Sequence, residues 1–178
     1  LTSNQAKVTT VDASNNKGGL DLALGGQTGT VTVTGTATRD VIALTAAGTG
    51  GLQNVNTGAG NDAISAAQAV IAVATINGGA DVDTLTVSDT GTVTINDNNF
   101  VGVSAIEKLA FGATTGLTFS VGGYANALAT ANAGVLDITA AALTGATTID
   151  GTGLSATNAL KLTLTNVDTA ANATATTI

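Results

Sequence analysis

Apolar and polar residues alternate in short runs along this chain, and the runs are separated by glycine, asparagine and aspartate. Thr30-Val31-Thr32-Val33-Thr34 is the clearest case. Leu20 to Leu24, Thr92 to Ile95, Leu117 to Val121 and Leu160 to Thr165 follow the same period of two. That period puts alternate side chains on opposite faces of a strand, so each run predicts a strand with one buried face. Val8 to Val11, Ile42 to Thr45, Leu85 to Val87 and Val135 to Thr139 read as further short strands, and Ile149 to Thr152 repeats the strand end and Asp turn of Val11 to Ser14. Asp12 to Asn16, Gly25-Gly26, Gly48 to Gly51 and Asp89-Thr90-Gly91 read as turns. Two stretches resist the pattern. Ile64 to Ile76 carries alanines that favour helix and β-branched residues that favour strand, and the phase of the surrounding repeat favours strand. The stretch from Tyr124 to Gly134 reads as one short helix or a loop.

Superimposed on the strands is a longer period. Thr57-Gly58-Ala59-Gly60-Asn61-Asp62-Ala63-Ile64-Ser65 and Gly78-Gly79-Ala80-Asp81-Val82-Asp83-Thr84-Leu85-Thr86 both fit the nine-residue pattern G-G-x-G-x-D-x-U-x, where U is a large apolar residue. A weaker copy runs from Gly35 to Ala43 and includes Asp40. Ile42, Ile64 and Leu85 each follow their aspartate by two places, so a turn and a strand start recur in fixed phase. This predicts an all-β chain in the form of a parallel β-solenoid with about 21 residues per coil. Coils bearing the turn pattern are expected over residues 1–111. Residues 112–178 are expected to continue the solenoid in degenerate form, or to make a small β-domain with an Ala/Thr-rich tail.

The chemistry of the turns points to a hard cation. Glycine allows positive φ and lets carbonyl oxygens turn inward. Aspartate adds an anionic oxygen, and calcium takes six to eight oxygen ligands. Asp40, Asp62, Asp81 and Asp83, with Gly58, Gly60, Asn61, Gly78 and Gly79 in the turns, are the candidate calcium residues. Ordinary turns between strands use the same residue types, and it is the repetition in phase that favours the metal. Asn96 to Asn99 approaches an EF-hand loop but fails it: Val101 stands at the fifth position and Glu107 falls one place early. It reads as an Asx-rich turn. Ile106 and Leu109 read as core, with Glu107 exposed between them and at most a supplementary ligand.

These turns resemble those of the RTX (repeats-in-toxin) family. The wider texture, with Val11-Asp12-Ala13-Ser14 and Ser104-Ala105-Ile106-Glu107-Lys108-Leu109, is similar to calcium-dependent bacterial surface-layer proteins and large type I-secreted adhesins. The resemblance covers residues 8 to 111 and departs from RTX in spacing, since the turns lie about 21 residues apart and are not tandem nonapeptides. It implies an extracellular, cell-surface structural protein that assembles with copies of itself in a lattice or filament, with calcium as cofactor and a cell-surface polysaccharide as a further partner. The alternative is an adhesin or ice-binding module presenting a threonine-rich flat face, from Thr30/Thr32/Thr34, Thr84/Thr86, Thr92/Thr94 and Thr163/Thr165.

Composition narrows the functions further. The 178 residues are 44% apolar but only 2% aromatic, so the core must be built from Val, Ile, Leu and Ala. With no His and no Cys, and with paired carboxylates only inside the calcium pattern, the inventory argues against an enzyme. A net charge of −7 with five scattered cations disfavours nucleic acid, and about three bound calcium ions would nearly cancel it. Val70 to Ile76 is far too short to insert in a membrane. Leu1 reads as a processed end or as the interior of a longer protein. The tail from Asp168 reads as a linker, an assembly strand or a secretion signal, and Asn172-Ala173-Thr174 is a glycosylation sequon by pattern.

Overall fold

A computed structural model describes residues 2–3, 8–45, 51–112 and 114–165. Strands β1 (Thr2–Ser3), β2 (Thr10–Asp12), β3 (Asp21–Leu24), β4 (Val31–Thr34), β5 (Val41–Leu44), β6 (Gln53–Asn56) and β7 (Ala63–Ala66) precede a single helical turn, α1 (Gln68–Ile71). Then come β8 (Thr75–Asn77), β9 (Thr84–Val87), β10 (Gly91–Ile95), a 3-10 turn (Asp97–Phe100), β11 (Val103–Ser104), β12 (Lys108–Phe111) and β13 (Thr114–Ser120). Helix α2 (Gly123–Ala131), β14 (Val135–Ala141), β15 (Thr147–Asp150) and β16 (Ala159–Thr165) follow. The chain is mostly β, and all strand pairs among the described residues are parallel.

Successive strands go to different sheets. One sheet has the order β1-β3-β5-β7-β9-β12-β14-β16, and a second has β11-β8-β6-β4-β2. From β2 to β9 the chain alternates strictly between the two. Beyond β9 a third sheet, β10-β13-β15, appears, and the second sheet ends with β11. The eight-stranded sheet runs unbroken through residue 111, from β12 into β14. Register is held by the period of two. Leu22, Ile42, Ile64, Leu85, Leu109 and Ile138 sit opposite one another along that sheet, and all are buried. A one-residue slip would turn this whole row to solvent, so the pattern fixes the pairing.

The core is aliphatic in the first half, as its composition requires. In the second half Phe100, Phe111 and Phe119 cluster, with Phe119 meeting Phe100 edge-on at 5.7 Å and Phe111 at 6.0 Å. They fill the interior where a third sheet joins, and α2 adds Ala125, Leu128 and Ala129 to it. The stretch from Ile64 to Ile76, read as strand from the phase of the repeat, is strand only at its ends, β7 and β8, with one helical turn between them. Val70 and Ile71 bury themselves from that turn, and Gln68 N–H donates to Asp89 Oδ2 at 2.6 Å. The Tyr124 stretch is helical. The tail from Asp168, the sequon at Asn172 and most of the Gly48 to Gly51 corner lie outside the described residues.

Candidate metal centre

The residue just before five of the inner strands of the eight-stranded sheet is special. Leu20, Asp40, Asp62, Asp83 and Glu107 precede β3, β5, β7, β9 and β12. Parallel pairing uses their carbonyls: Val41, Ala63, Thr84 and Lys108 N–H donate to Leu20, Asp40, Asp62 and Asp83 O at 2.7 to 3.0 Å. Their own N–H groups are met by side chains. Leu20 N–H donates to Asp40 Oδ1 at 2.6 Å, Asp40 N–H to Asp62 Oδ1 at 2.7 Å, and Asp62 N–H to Asp83 Oδ1 at 2.8 Å. Asp83 N–H donates to Glu107 Oε2 at 2.8 Å. The acids thus form a column of charge-assisted hydrogen bonds, each carboxylate satisfying a backbone donor of the preceding strand. Asp40, Asp62 and Asp83 are buried at 0%, 2% and 0% exposure.

Glu107 corrects the sequence reading. It is half-buried, not exposed, and forms the last rung. Its longer side chain reaches across a wider interval of chain. The signal was present: Leu109 follows Glu107 by two places, the spacing that Ile64 keeps from Asp62 and Leu85 from Asp83.

The three aspartates differ at their second oxygen. Asp40 Oδ2 accepts from Thr36 N–H at 2.8 Å, and Oδ1 also takes the Thr36 hydroxyl at 2.8 Å. This carboxylate is fully engaged by its own turn. Asp62 Oδ2 and Asp83 Oδ2 are buried and accept nothing. The cause lies at the position of Thr36, which is Gly58 and Gly79 in the other two turns. Those glycines have φ of +105° and +97°, and neither N–H donates to the carboxylate four places on, as that of Thr36 does.

Close stacking of turn on turn requires those glycines. A Cβ on Gly79 would lie 2.0 Å from Gly58 O, and one on Gly58 would lie 2.1 Å from Thr36 O. Ala80 N–H donates to Gly58 O at 2.9 Å and Ala59 N–H to Thr36 O at 3.2 Å. On the outer side of the stack, Gly60 N–H donates to Asp81 Oδ2 at 3.1 Å and Val82 N–H to Asn61 Oδ1 at 3.0 Å. Asp81 occupies the place of Gly60 one turn later, with φ of +80° and an exposed side chain. The fold therefore brings Asp40, Asp62 and Asp83 into one buried column, and sets Asp81 and Asn61 apart as clasps on the surface of the turns.

Beside Gly78 the space a Cβ would fill lies 2.6 Å from Asp83 Oδ2 and 2.0 Å from Ala105 O. Two acceptors converge there, without a donor for the carboxylate oxygen. Burial pushes the Asp83 carboxyl up to about 7, with the charges of Asp62, Glu107 and Asp81 adding to it and the Asp62 N–H opposing it. Burial also raises Asp62 and the Asp40 charge adds to this, while the Thr57 hydroxyl, the Asp40 N–H and Arg39 oppose it. Asp83 Oδ2 and Ala105 O both pack against Gly78 and leave no room for a side chain; an anionic oxygen and a carbonyl are donor types that a hard cation accepts. Among the described residues no three acidic side chains converge, so carbonyls would have to complete such a shell. Among them, too, no helix is long and apolar enough to cross a membrane. Comparison with family models, with characterised proteins and with solved structures finds no match.

Proposed function

We propose that this chain is a calcium-stabilised segment of a bacterial cell-surface protein, built as a parallel β-solenoid with one coil about every 21 residues in its first two-thirds. It resembles RTX repeats and serves structure, not catalysis: it is secreted, folds where calcium is plentiful, and packs with copies of itself in a surface lattice or filament. One observation carries the reading. The two turns that keep the glycine pattern are the two whose buried aspartates have an unpartnered oxygen, and the degenerate turn has closed its aspartate with a threonine. On this reading Asp62 and Asp83 bind the ion with turn carbonyls, Gly58, Gly60, Gly78 and Gly79 shape the turns, and Asn61 and Asp81 clasp them. Asp40 acts as a rung alone. A ligand bound by the native state only adds its binding free energy to folding, so a calcium-poor cytoplasm would keep the chain exportable.

The adhesin or ice-binding alternative needed the threonine pairs on one face. Thr32 and Thr34 lie on the second sheet, Thr84, Thr86, Thr163 and Thr165 on the first, and Thr92 and Thr94 on the third. This distribution favours assembly.

The test is a calcium titration followed by circular dichroism, thermal melting and particle sizing, then reversal with chelator. Calcium is expected to raise the melting midpoint and to produce large assemblies. Asp62→Asn with Asp83→Asn keeps a rung acceptor at each position and is expected to abolish both responses. Indifference to calcium, or an undiminished response in the double variant, overturns the reading.

A further inference from the structure

The outer face of the eight-stranded sheet is dressed differently from the other two. On the second and third sheets the outward strand positions among the described residues are threonine, serine, asparagine or aspartate. On strands β3, β5, β7 and β12 of the first sheet, Ala23, Val41, Ala43, Ala63 and Ala110 face outward instead. Val41 is 37% exposed there. Alanine is depleted in strands, so strand propensity does not account for the choice. One chain in one solvent thus covers two sheets with polar side chains and the third with small apolar ones.

The charges on this face are placed symmetrically. Register sets Asp21, Val41, Ala63, Thr84 and Lys108 in one row across β3, β5, β7, β9 and β12. Asp21 and Lys108 therefore stand at equal intervals on either side of Ala63. The neighbouring row, from Ala23 through Ser65 to Ala110, carries no charge. Lys161, further along the sheet, is held by Asp137 Oδ2 at 2.7 Å, whereas Lys108 makes no ion pair among the described residues. Consider a second copy turned about a two-fold axis that runs along β7, between two such faces. Ala63 then meets its own copy, Val41 meets Thr84, and Asp21 meets Lys108 at both ends. Faces laid together with their coils running the same way would set Asp21 on Asp21 and Lys108 on Lys108, which like-charge repulsion disfavours. Charge thus selects the two-fold arrangement, in which one patch complements itself.

We propose that this face is the contact between two copies of the chain, packed sheet on sheet with their coils antiparallel. The contact rests on the assembly reading above, which it makes specific, and it uses no residue of the acidic column. The five strands offer a face of about 24 Å by about 13 Å, or ~300 Å² per copy. A stable complex buries ~800 Å² per partner. A single contact is therefore weak, and its repetition in an array supplies the remaining strength.

The chain contains no cysteine, so a single introduced thiol reports its own position. Ala63→Cys places one on the axis. Thr163→Cys places one on the same sheet but on its last strand, and Thr148→Cys places one on the third sheet. Each full-length variant, with its fold checked by circular dichroism, is treated with a short bis-maleimide linker that traps transient contacts, in calcium and in chelator. Ala63→Cys is expected to give covalent dimer far faster than either control. Adding Asp21→Lys to it is expected to slow linking about tenfold, as is adding Lys108→Asp, because each removes two ion pairs per dimer. Adding both is expected to restore the rate. Equal linking at all three positions overturns the proposal, as does a rate that neither reversal lowers or that the exchanged pair fails to restore. Large calcium-dependent particles without linking in Ala63→Cys overturn this contact and leave the assembly reading standing. Specific linking in Ala63→Cys without large particles supports the contact and removes the lattice.

Discussion

At the scale of single residues the turns are governed by space. Gly79 combines a left-handed backbone with a neighbouring carbonyl 2.0 Å from where a Cβ would stand. Both conditions penalise any side chain, and the atom in the way is backbone that holds the next turn in register. Gly29 lies in a turn with open space around it and an ordinary φ. Gly79→Ala is therefore expected to cost about 2 kcal/mol or more, and Gly29→Ala to cost nothing or to stabilise slightly. Chemical denaturation of the two variants checks this. Equal stability of the pair would mean that the turns do not stack as closely as described.

At the scale of elements, helix α2 shows how distant parts of the chain supply what local sequence lacks. Its N-terminus has no side-chain cap of its own, and Gly122 stands at the cap position. Asp97, from the 3-10 turn, fills the role: Oδ1 accepts from Gly122 and Ala125 N–H at 3.0 and 2.9 Å, and Oδ2 from Tyr124 N–H at 3.1 Å. The carboxylate also meets the positive end of the helix dipole. Asp97→Ala is expected to cost about 1 to 2 kcal/mol, and amide hydrogen exchange should rise first at Tyr124 and Ala125. Unchanged protection there would remove Asp97 from this role. The example also marks what the sequence could convey. Strands such as Val31 to Thr34 were legible because burial on one face writes a period of two into the chain, and the phase of Asp62 and Asp83 was legible because stacking copies a turn. The Asx-rich stretch at Asn96 to Asn99 was readable as a turn, since Asn96 N–H bonds Asn99 Oδ1 locally at 2.8 Å. Its capping of α2 was not, because 25 or more residues separate donor from acceptor and no period links them. The column of rungs was hidden for a different reason. Aspartate in such turns suits either a metal or a neighbouring N–H, and it is only in the structure that the second oxygens differ, engaged on Asp40 and without a partner on Asp62 and Asp83.

At the scale of the whole molecule the acidic column couples stability to pH. Asp83 holds its proton to about pH 7 in the folded chain, against an ordinary value of 3.8. Between those values the native state binds more protons than the unfolded state, so stability falls as pH rises. Above about 7 both states are ionised and the slope from this group vanishes. Asp62, also raised by burial, adds a slope of the same sign. Asp12 and Asp150 act oppositely. Backbone and hydroxyl hydrogen bonds from Ser14 and Thr152 lower their carboxyls, so the stability they contribute is present above 3.8 and is lost at more acid pH. In chelator, the melting midpoint is therefore expected to peak on the acid side, between about pH 4 and 5, and to decline towards pH 7. Asp83→Asn keeps the Asp62 N–H acceptor and has no proton to lose, so it should flatten the decline and be the more stable protein near pH 8. On the proposed calcium reading, calcium should reverse the trend in the wild-type chain, because a cation held by these buried oxygens would compete with the proton and win as pH rises. A midpoint in chelator that climbs from pH 5 to pH 7, or an Asp83→Asn variant with the wild-type slope, would show that the column is not where the chain stores its charge strain.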